Sequence, residues 1–406
     1  MFHGMSDVTV LKGPVHEAWV AHYDAPEGEW DEAEALVVDA DGNVYVTGQS
    51  QGNIVTIKYD TDGNQLWIRY HDEPYACWAV GGVSIGVDDC GNVYVAGDCT
   101  SKMGDYDFVT IKYDTNGDEL WVRHYDGPAS SHDSARSLAI DSAGDVYVTG
   151  SSDDGDGLSN YATLKYDADG HEIWVSRYEG LTGTDCYSQA IAVDSFGNVY
   201  VTGWMWLYSD KAGWATVAYD TDGNELWAAH DGNESVNDMA LYEDESGTYI
   251  YVTGGGTTVQ YDGNGNEVWC NPASGHALAV DMQGNAYITG VKKSNKLSGN
   301  DPGIVKYDSH GNELWTVIYD NCDTVTDIVV DASGDVCVTG YDNRLLDRRD
   351  YVTIMHKSDG NILWEARYNG IGYWSAGPNA IAMDDPGNVY VTGMGEEDFL
   401  TIKYTQ

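Results

Sequence analysis

Hydrophobic and polar residues alternate along this chain in short runs, and the runs return in a fixed order. The segment GNVYVTG at 42–48 reappears as GNVYVAG at 91–97, GDVYVTG at 144–150 and GNVYVTG at 197–203. It returns again as YIYVTG at 249–254, GNAYITG at 284–290, GDVCVTG at 334–340 and GNVYVTG at 387–393. These eight copies recur about every 49 residues, a spacing in the range of propeller blades. The stretch beginning at Ser137 shows one unit in full: SLAID, an S-A-G-D turn, VYVTG, a variable loop, ATLKYD, an A-D-G turn and HEIWVSRY. The β-branched and aromatic content with a period of two predicts four short strands, A to D. Asp at the start and Gly at the end of the A–B and C–D links predict tight hairpins. The B–C and D–A links vary in length and composition, as loops released from the repeat do, and all of them emerge on one face.

Strand D tests whether the ring closes. Trp67, Trp121, Trp174, Trp227, Trp269, Trp315 and Trp364 mark seven copies, and the eighth A-B-C set ends at FLTIKYTQ without one. The missing strand is at the other end: HEAWVAHYD, residues 16–24, matches strand D with Trp19 in register. The expected fold is all-β, an eight-bladed propeller of four-stranded antiparallel blades, in which the N-terminal strand pairs with the C-terminal blade and leaves no open end. Residues 1–15 are an N-terminal extension and 16–406 one propeller. A linear solenoid would need capping repeats, whereas these terminal fragments are complementary.

Charge narrows the partners. The formal net charge is −46, which makes nucleic acid and anionic membrane poor partners. Part of that charge is turn chemistry multiplied, since sixteen turn positions of the repeat favour Asp. With 14 Trp and 30 Tyr the chain can bury a large core despite its acidity. No run reaches membrane-spanning length, so no membrane insertion is expected, and the first residues lack the basic patch and apolar core of a signal peptide.

The phrase DxxGNxYVTG followed by TIKYDxxGNxLW, at 39–67 and recurring over nearly all of 16–406 with Glu most often before the Leu, resembles the microbial beta-propeller repeat (SBBP) family. Its KYDxxGNxLW portion is similar to the tryptophan-docking repeat of quinoprotein dehydrogenases, whose propellers also have eight blades. That resemblance implies that Trp19, Trp67, Trp121, Trp174, Trp227, Trp269, Trp315 and Trp364 pack between neighbouring blades. It does not extend to the enzymatic part, because the vicinal cysteine pair of those dehydrogenases has no counterpart here. No cofactor is expected. Beta-propeller-repeat proteins often belong to exported or surface proteins, which implies an extracellular or cell-surface location.

Eight copies form an internal alignment, and departures from it mark what the blade does not dictate. The residue five before the strand A aspartate is Glu34, Val83, Arg136, Gln189, His276, Thr326 or Asn379, with Asp238 at the offset fifth blade. Polar groups of different chemistry converging at a channel mouth are candidates for ligand binding. The alternative is a solvated entrance. Aromatic residues outside the docking positions fall in the variable loops: Trp30, Tyr75, Trp78, Trp204, Trp206, Tyr208, Trp214, Tyr373 and Trp374. Among these, Trp78, Trp204, Trp206, Trp214 and Trp374 are taken as ligand-binding candidates, since flat apolar surface with a polar rim suits a glycan or a protein. The alternative is loops that fold over and bury their own Trp.

Metal and catalytic signals are weak. The aspartates Asp39, Asp88, Asp141, Asp194, Asp244, Asp281, Asp331 and Asp384 each open a D-x-x-G turn, where the carboxylate accepts backbone N–H groups. Asp153, Asp154 and Asp156 in the loop SSDDGDGLSN offer hard oxygen ligands, but a charge run is usually a solvated loop, and no metal is assigned. There is no G-x-S-x-G elbow, no H-E-x-x-H and no P-loop, and His132 with Asp133 or His276 alone does not define a base. No catalytic residue is assigned. Cys77 with Cys99, or Cys270 with Cys322, could form a disulfide in an exported protein, and Cys337 reads as core. The leading expectation is a non-enzymatic binding or scaffold propeller holding a protein or glycan on its loop face. The other readings are a channel-mouth hydrolase or lyase and a structural subunit of a larger assembly.

Overall fold

A computed structural model describes residues 8–25, 31–71, 84–100, 104–129, 131–155, 157–207, 211–231, 235–290, 302–320, 322–345, 348–369, 377–395 and 398–406. The strands fall into eight antiparallel sheets, and in six of them sequence order is spatial order. The third blade is representative: strand A is Asp133–Ile140, B Val146–Asp153, C Ser159–Tyr166 and D Glu172–Tyr178. In the eighth, A, B and C are Gly377–Met383, Val389–Gly395 and Asp398–Thr405, and D is the N-terminal strand His16–Tyr23. Tyr23 pairs with Phe399 and His16 with Thr405. The fold is therefore an eight-bladed β-propeller closed three strands to one. One blade carries more than the repeat requires: Val8–Lys12, within the N-terminal extension, pairs with strand D of the seventh blade, Ile362–Asn369, as a fifth strand.

Each A–B turn is tied by its aspartate. Asp141 Oδ1 accepts the amides of Ala143 (2.9 Å) and Asp145 (3.0 Å), and Oδ2 accepts the Tyr147 hydroxyl (2.9 Å). The same triad of bonds runs from Asp194 to Phe196, Asn198 and Tyr200. The aspartate and the Tyr of VYVTG are thus one device: the carboxylate closes the turn and gives the buried hydroxyl an acceptor, as the absence of water requires.

Chain contacts define two compact units, residues 1–46, 59–65 and 276–406, and residues 47–58 and 66–275. Within the second, apolar clusters lie between consecutive blades. Tyr94, Phe108 and Trp121 of the second blade pack on Leu138, Val148, Leu164 and Tyr166 of the third. Tyr147 and Tyr161 of the third pack on Ile191, Val201 and Val217 of the fourth. The first unit repeats the arrangement: Trp364 and Tyr351 meet Val389, Leu400 and Tyr404.

Within each unit the Trp of strand D docks on the next blade, as the family resemblance implies. Trp121 lies 6.2 Å from the Tyr166 ring and donates from Nε1 to Ala168 O at 3.2 Å, and Trp174 meets Tyr219 at 6.3 Å and donates to Thr221 O at 3.1 Å. In the first unit Trp19 meets Tyr59 at 5.9 Å and donates to Thr61 O at 3.1 Å. The glycine of the C–D turn follows from this contact. Gly170 has φ +78°, and a Cβ there would sit 2.7 Å from Cδ2 of Trp121, so the turn must be both left-handed and bare. Trp364 departs from the rule, because C and D of the eighth blade come from opposite ends of the chain and no hairpin turn joins them. Its buried Nε1 has no partner.

Candidate functional site

The polar residues singled out near strand A owe their position to a repeated backbone irregularity. In the third, fourth, fifth, seventh and eighth blades strand A slips register against strand B by one residue, and the skipped residue is Arg136, Gln189, Asn237, Thr326 and Asn379 respectively. A β-bulge of this kind turns one side chain out of the ladder. In the fifth blade the bulged residue is Asn237, while Asp238 pairs in register with Thr253 and its Oδ1 accepts the Met239 amide at 2.8 Å. Asn237 was invisible to sequence spacing because the fifth blade is offset, and only the pairing shows which residue is skipped.

In the unit of residues 66–275, Arg136 is exposed and its Nε donates to Gln189 Oε1 at 3.3 Å, linking the bulges of neighbouring blades. Asn237 Nδ2 donates to Gly275 O at 2.6 Å. Beneath Arg136 lies Asp98, fully buried, whose carboxylate accepts the Ala135 amide at 2.6 Å and the Ser134 hydroxyl at 2.8 Å. Asp98 is a positioning residue for this bulge, and nothing in its own repeat position announced it. In the other unit, exposed Asn379 donates from Nδ2 to Glu32 Oε1 at 3.0 Å and to Ala33 O at 2.9 Å, beside half-buried Glu34. His276 is exposed, and its amide donates to Thr289 O at 2.9 Å.

The aromatic candidates separate sharply. Trp204 and Trp206 lie in strand B of the fourth blade, Val199–Leu207, which extends into what the sequence reads as loop. Trp204 stacks on Tyr187 with ring centroids 4.3 Å apart and planes 21° from parallel. Two residues on, Trp206 is 48% exposed. Trp204 and Trp206 fall on the same face of strand B by alternation, and Tyr187, the register partner of Trp204, lies two residues from Gln189 in strand A. Trp214 is corrected: it belongs to strand C, Lys211–Tyr219, and is fully buried in the cluster with Val236, Met239 and Tyr261, so it offers nothing to a ligand. An aromatic residue that ends a polar loop looks exposed in a sequence, but here the strand begins three residues earlier. Trp78 and Trp374 lie outside the described residues, as do Trp30, Tyr75, Tyr208 and Tyr373.

Three carboxylates outside the candidate set converge. Ligand oxygens of Asp107, Asp126 and Asp133 lie within 4.8 Å of one another, the one grouping among the described residues able to hold a metal ion. Burial, with repulsion from Asp126, Asp105 and Asp133, pushes the Asp107 carboxyl up to about 6. Asp133 is fully buried and accepts the Gly127 amide at 2.6 Å. It does not face His132, whose Nδ1 accepts the Tyr106 amide at 3.2 Å, so those neighbours form no acid–base pair. In the acidic loop, Asp153 Oδ1 accepts the amides of Gly155 (2.8 Å) and Gly157 (3.3 Å), and Asp156 lies outside the described residues.

Among the cysteines, Cys99 is disulfide-bonded, and Cys77, the partner expected for it, lies outside the described residues. The Cys270–Cys322 pairing is not formed. Cys270 is exposed, whereas Cys322 is buried and its thiol donates to Thr324 O at 3.0 Å. Burial pushes that thiol up to about 12, which keeps it protonated and inert. Cys337 is buried in the core, as expected.

Blades, docked tryptophans and bulged A strands define a repeat propeller whose variation is confined to loops and strand ends. The model of the SBBP family, the beta-propeller repeat, matches residues 127–157 and 173–204, parts of the third and fourth blades, which supports the resemblance read from the repeat. No curated protein matches the sequence. Among solved structures the chain is similar to the C-terminal WD40 domain of Sif2 (TM-score 0.61, 10% identity, 93% of this chain and 98% of that one). It is also similar to the Dos1 propeller (0.59, 10%, 92% and 94%) and to the WD40 domain of SCAP from fission yeast (0.53, 10%, 96% and 98%). At such identity the likeness is one of fold. No helix among the described residues is long and apolar enough to cross a membrane.

Proposed function

We propose that this chain is a non-enzymatic binding module that holds a protein or glycan on its variable-loop side. The observation that carries the reading is the platform in the fourth blade: a stacked Tyr187–Trp204 pair beside Trp206, which is 48% exposed. Flat aromatic surface costs little conformational entropy to present and gains most when a partner face covers it. Arg136 and Gln189 supply a polar rim one bulge away, with a donor set suited to hydroxyl or carbonyl groups. The WD40 likeness supports a partner-binding role by analogy of fold. The disulfide at Cys99 supports an oxidising setting, outside the cell or at its surface.

The test is a glycan array and an affinity capture run in parallel on wild type, Trp206→Ala and Arg136→Ala. Loss of about 1–2 kcal/mol in binding, roughly five- to thirtyfold, is expected for Trp206→Ala, since one aromatic contact of this size is removed. A glycan hit weakened by both substitutions makes the module lectin-like, and a protein hit so weakened makes it a docking module. A partner bound with wild-type affinity by both variants would refute this location.

A further inference from the structure

The strand D edge of most blades presents the same aliphatic feature. Leu120, Ile173, Leu226 and Val268 are each skipped in the register between strands C and D, so every one is a bulged residue immediately before the docking tryptophan. Together with Leu66 and with Leu314, which is skipped in the same way in the sixth blade, they are 47–53% exposed, an unusual degree for six aliphatic side chains in equivalent positions. Each of these D strands is the last of its sheet, with no further strand paired to it among the described residues.

The seventh blade shows what covers such an edge. There Val8–Lys12 adds antiparallel to Ile362–Asn369, pairing Val8 with Tyr368, Thr9 with Arg367, Val10 with Ala366 and Lys12 with Glu365. The chain then crosses the bulge itself. Gly13, with φ +89°, passes so close that a Cβ would lie 2.2 Å from Leu363 O, and Val15 is buried in the cluster holding Trp364, Ala366 and Tyr368. The equivalent surface changes accordingly. Leu363 is only partly exposed, and Trp364 is fully buried where Trp67, Trp121 and Trp269 remain 7–9% exposed. A five-residue extended segment of the chain therefore pairs along one copy of an edge that the chain repeats, and its sequence, Val-Thr-Val-Leu-Lys, is β-branched and aliphatic and ends in lysine.

We infer that the D edges of the first to sixth blades dock an extended segment of a partner protein by strand addition, as residues 8–12 dock on the seventh. The occupant is aliphatic and basic. Main-chain hydrogen bonds to an open edge give affinity, and the half-exposed bulged aliphatic gives each edge an apolar foothold. Charge selects the sign: exposed Glu119, Glu172, Glu225 and Glu267 open these strands in a chain of net charge −46, so an acidic segment is repelled and a lysine-bearing one attracted.

The probe is a labelled peptide of residues 8–16, Val-Thr-Val-Leu-Lys-Gly-Pro-Val-His, added to the full-length chain. Saturable binding that weakens as salt rises is expected, with amide exchange slowed in Gln65–His71, Glu119–Tyr125, Glu172–Tyr178, Glu225–Asp231, Glu267–Asn271 or Glu313–Ile318. A peptide carrying Val10→Pro, which removes a ladder donor, should bind about tenfold more weakly or worse. A chain carrying Leu120→Asp, Ile173→Asp and Leu226→Asp should lose the exchange protection in Glu119–Tyr125, Glu172–Tyr178 and Glu225–Asp231 with unchanged circular dichroism, whereas Trp206→Ala should keep it, which separates this surface from the loop-side platform. Absence of saturable binding overturns the inference. So does protection confined to Ile362–Asn369, which reports exchange with the chain's own strand, or a Val10→Pro peptide that binds as well as the parent.

Discussion

Replacing Trp121 with Ala tests the claim that docked tryptophans hold neighbouring blades together. The ring is 7% exposed, packs 6.1 Å from Tyr94 and 6.2 Å from Tyr166, and donates one hydrogen bond to Ala168 O. Burying a Trp side chain removes roughly 150–250 Å² from water, worth ~4–6 kcal/mol at ~25 cal/mol per Å². The Nε1 bond adds about 1 kcal/mol. Collapse of Tyr94 and of the Gly170 turn into the gap recovers part of this, leaving an expected loss of about 4 kcal/mol, within the range for large aromatic-to-Ala changes in cores. Trp121→Phe keeps much of the stacking and loses the bond, for a loss of about 1–2 kcal/mol. The assay is urea unfolding followed by far-ultraviolet circular dichroism, with midpoints compared at a common slope and Trp206→Ala as a surface control expected within about 0.5 kcal/mol of wild type. A loss for Trp121→Ala below about 1.5 kcal/mol, or one no larger than that of Trp121→Phe, would show that the blades are held by their strands and turns alone.

Two further outcomes follow from named contacts. Gly170→Ala meets both a left-handed backbone and the Trp121 ring at 2.7 Å, whereas Gly104→Ala meets a left-handed backbone (φ +87°) with no atom within 4 Å. The Gly104 variant should therefore lose about 1 kcal/mol and the Gly170 variant clearly more, as read by thermal melting; equal losses would remove the steric argument. Asp107, with its carboxyl pushed up to about 6, binds protons more readily folded than unfolded between its ordinary value and about 6. Its contribution to stability is thus lost as pH rises through that window. Asp107→Asn should flatten the fall in melting temperature between mildly acid and neutral pH and be the more stable protein at neutral pH, and a steeper fall in the variant would contradict the assignment.

How much of this was readable depends on what a two-residue period can encode. Alternation along VYVTG and KYDxxGNELW is set by which face is buried, so strands, turns and the docked position of Trp19 or Trp174 were plain in the residues. The pairing of His16–Tyr23 with Asp398–Thr405 was plain too, because two incomplete blades admit one completion. A bulge leaves no such mark: it is a local shift in pairing, which is why Asn237 and not Asp238 takes the skipped position. Loops lack a period altogether. The sequence could therefore count Trp204, Trp206 and Trp214 as equals, although strand B carries the first two past the blade while the fifth blade covers the third. The fifth strand at Val8–Lys12 has no copy elsewhere in the chain, and a repeat alignment cannot reveal what is not repeated.

The union of His16–Tyr23 with the last blade also sets a schedule. The strand that completes the eighth sheet is made before the seven blades that follow it, yet its register partner, the stretch from Phe399 to Thr405, is made after them. Closing a loop of about 390 residues costs on the order of 5 kcal/mol in chain entropy, which only the finished sheet can recover. During synthesis this segment must wait, solvated and unpaired, through seven blades. The waiting segment carries Glu17, His16 and His22 among its apolar residues, so it is held soluble during the interval in which a fully apolar strand would find the wrong neighbour.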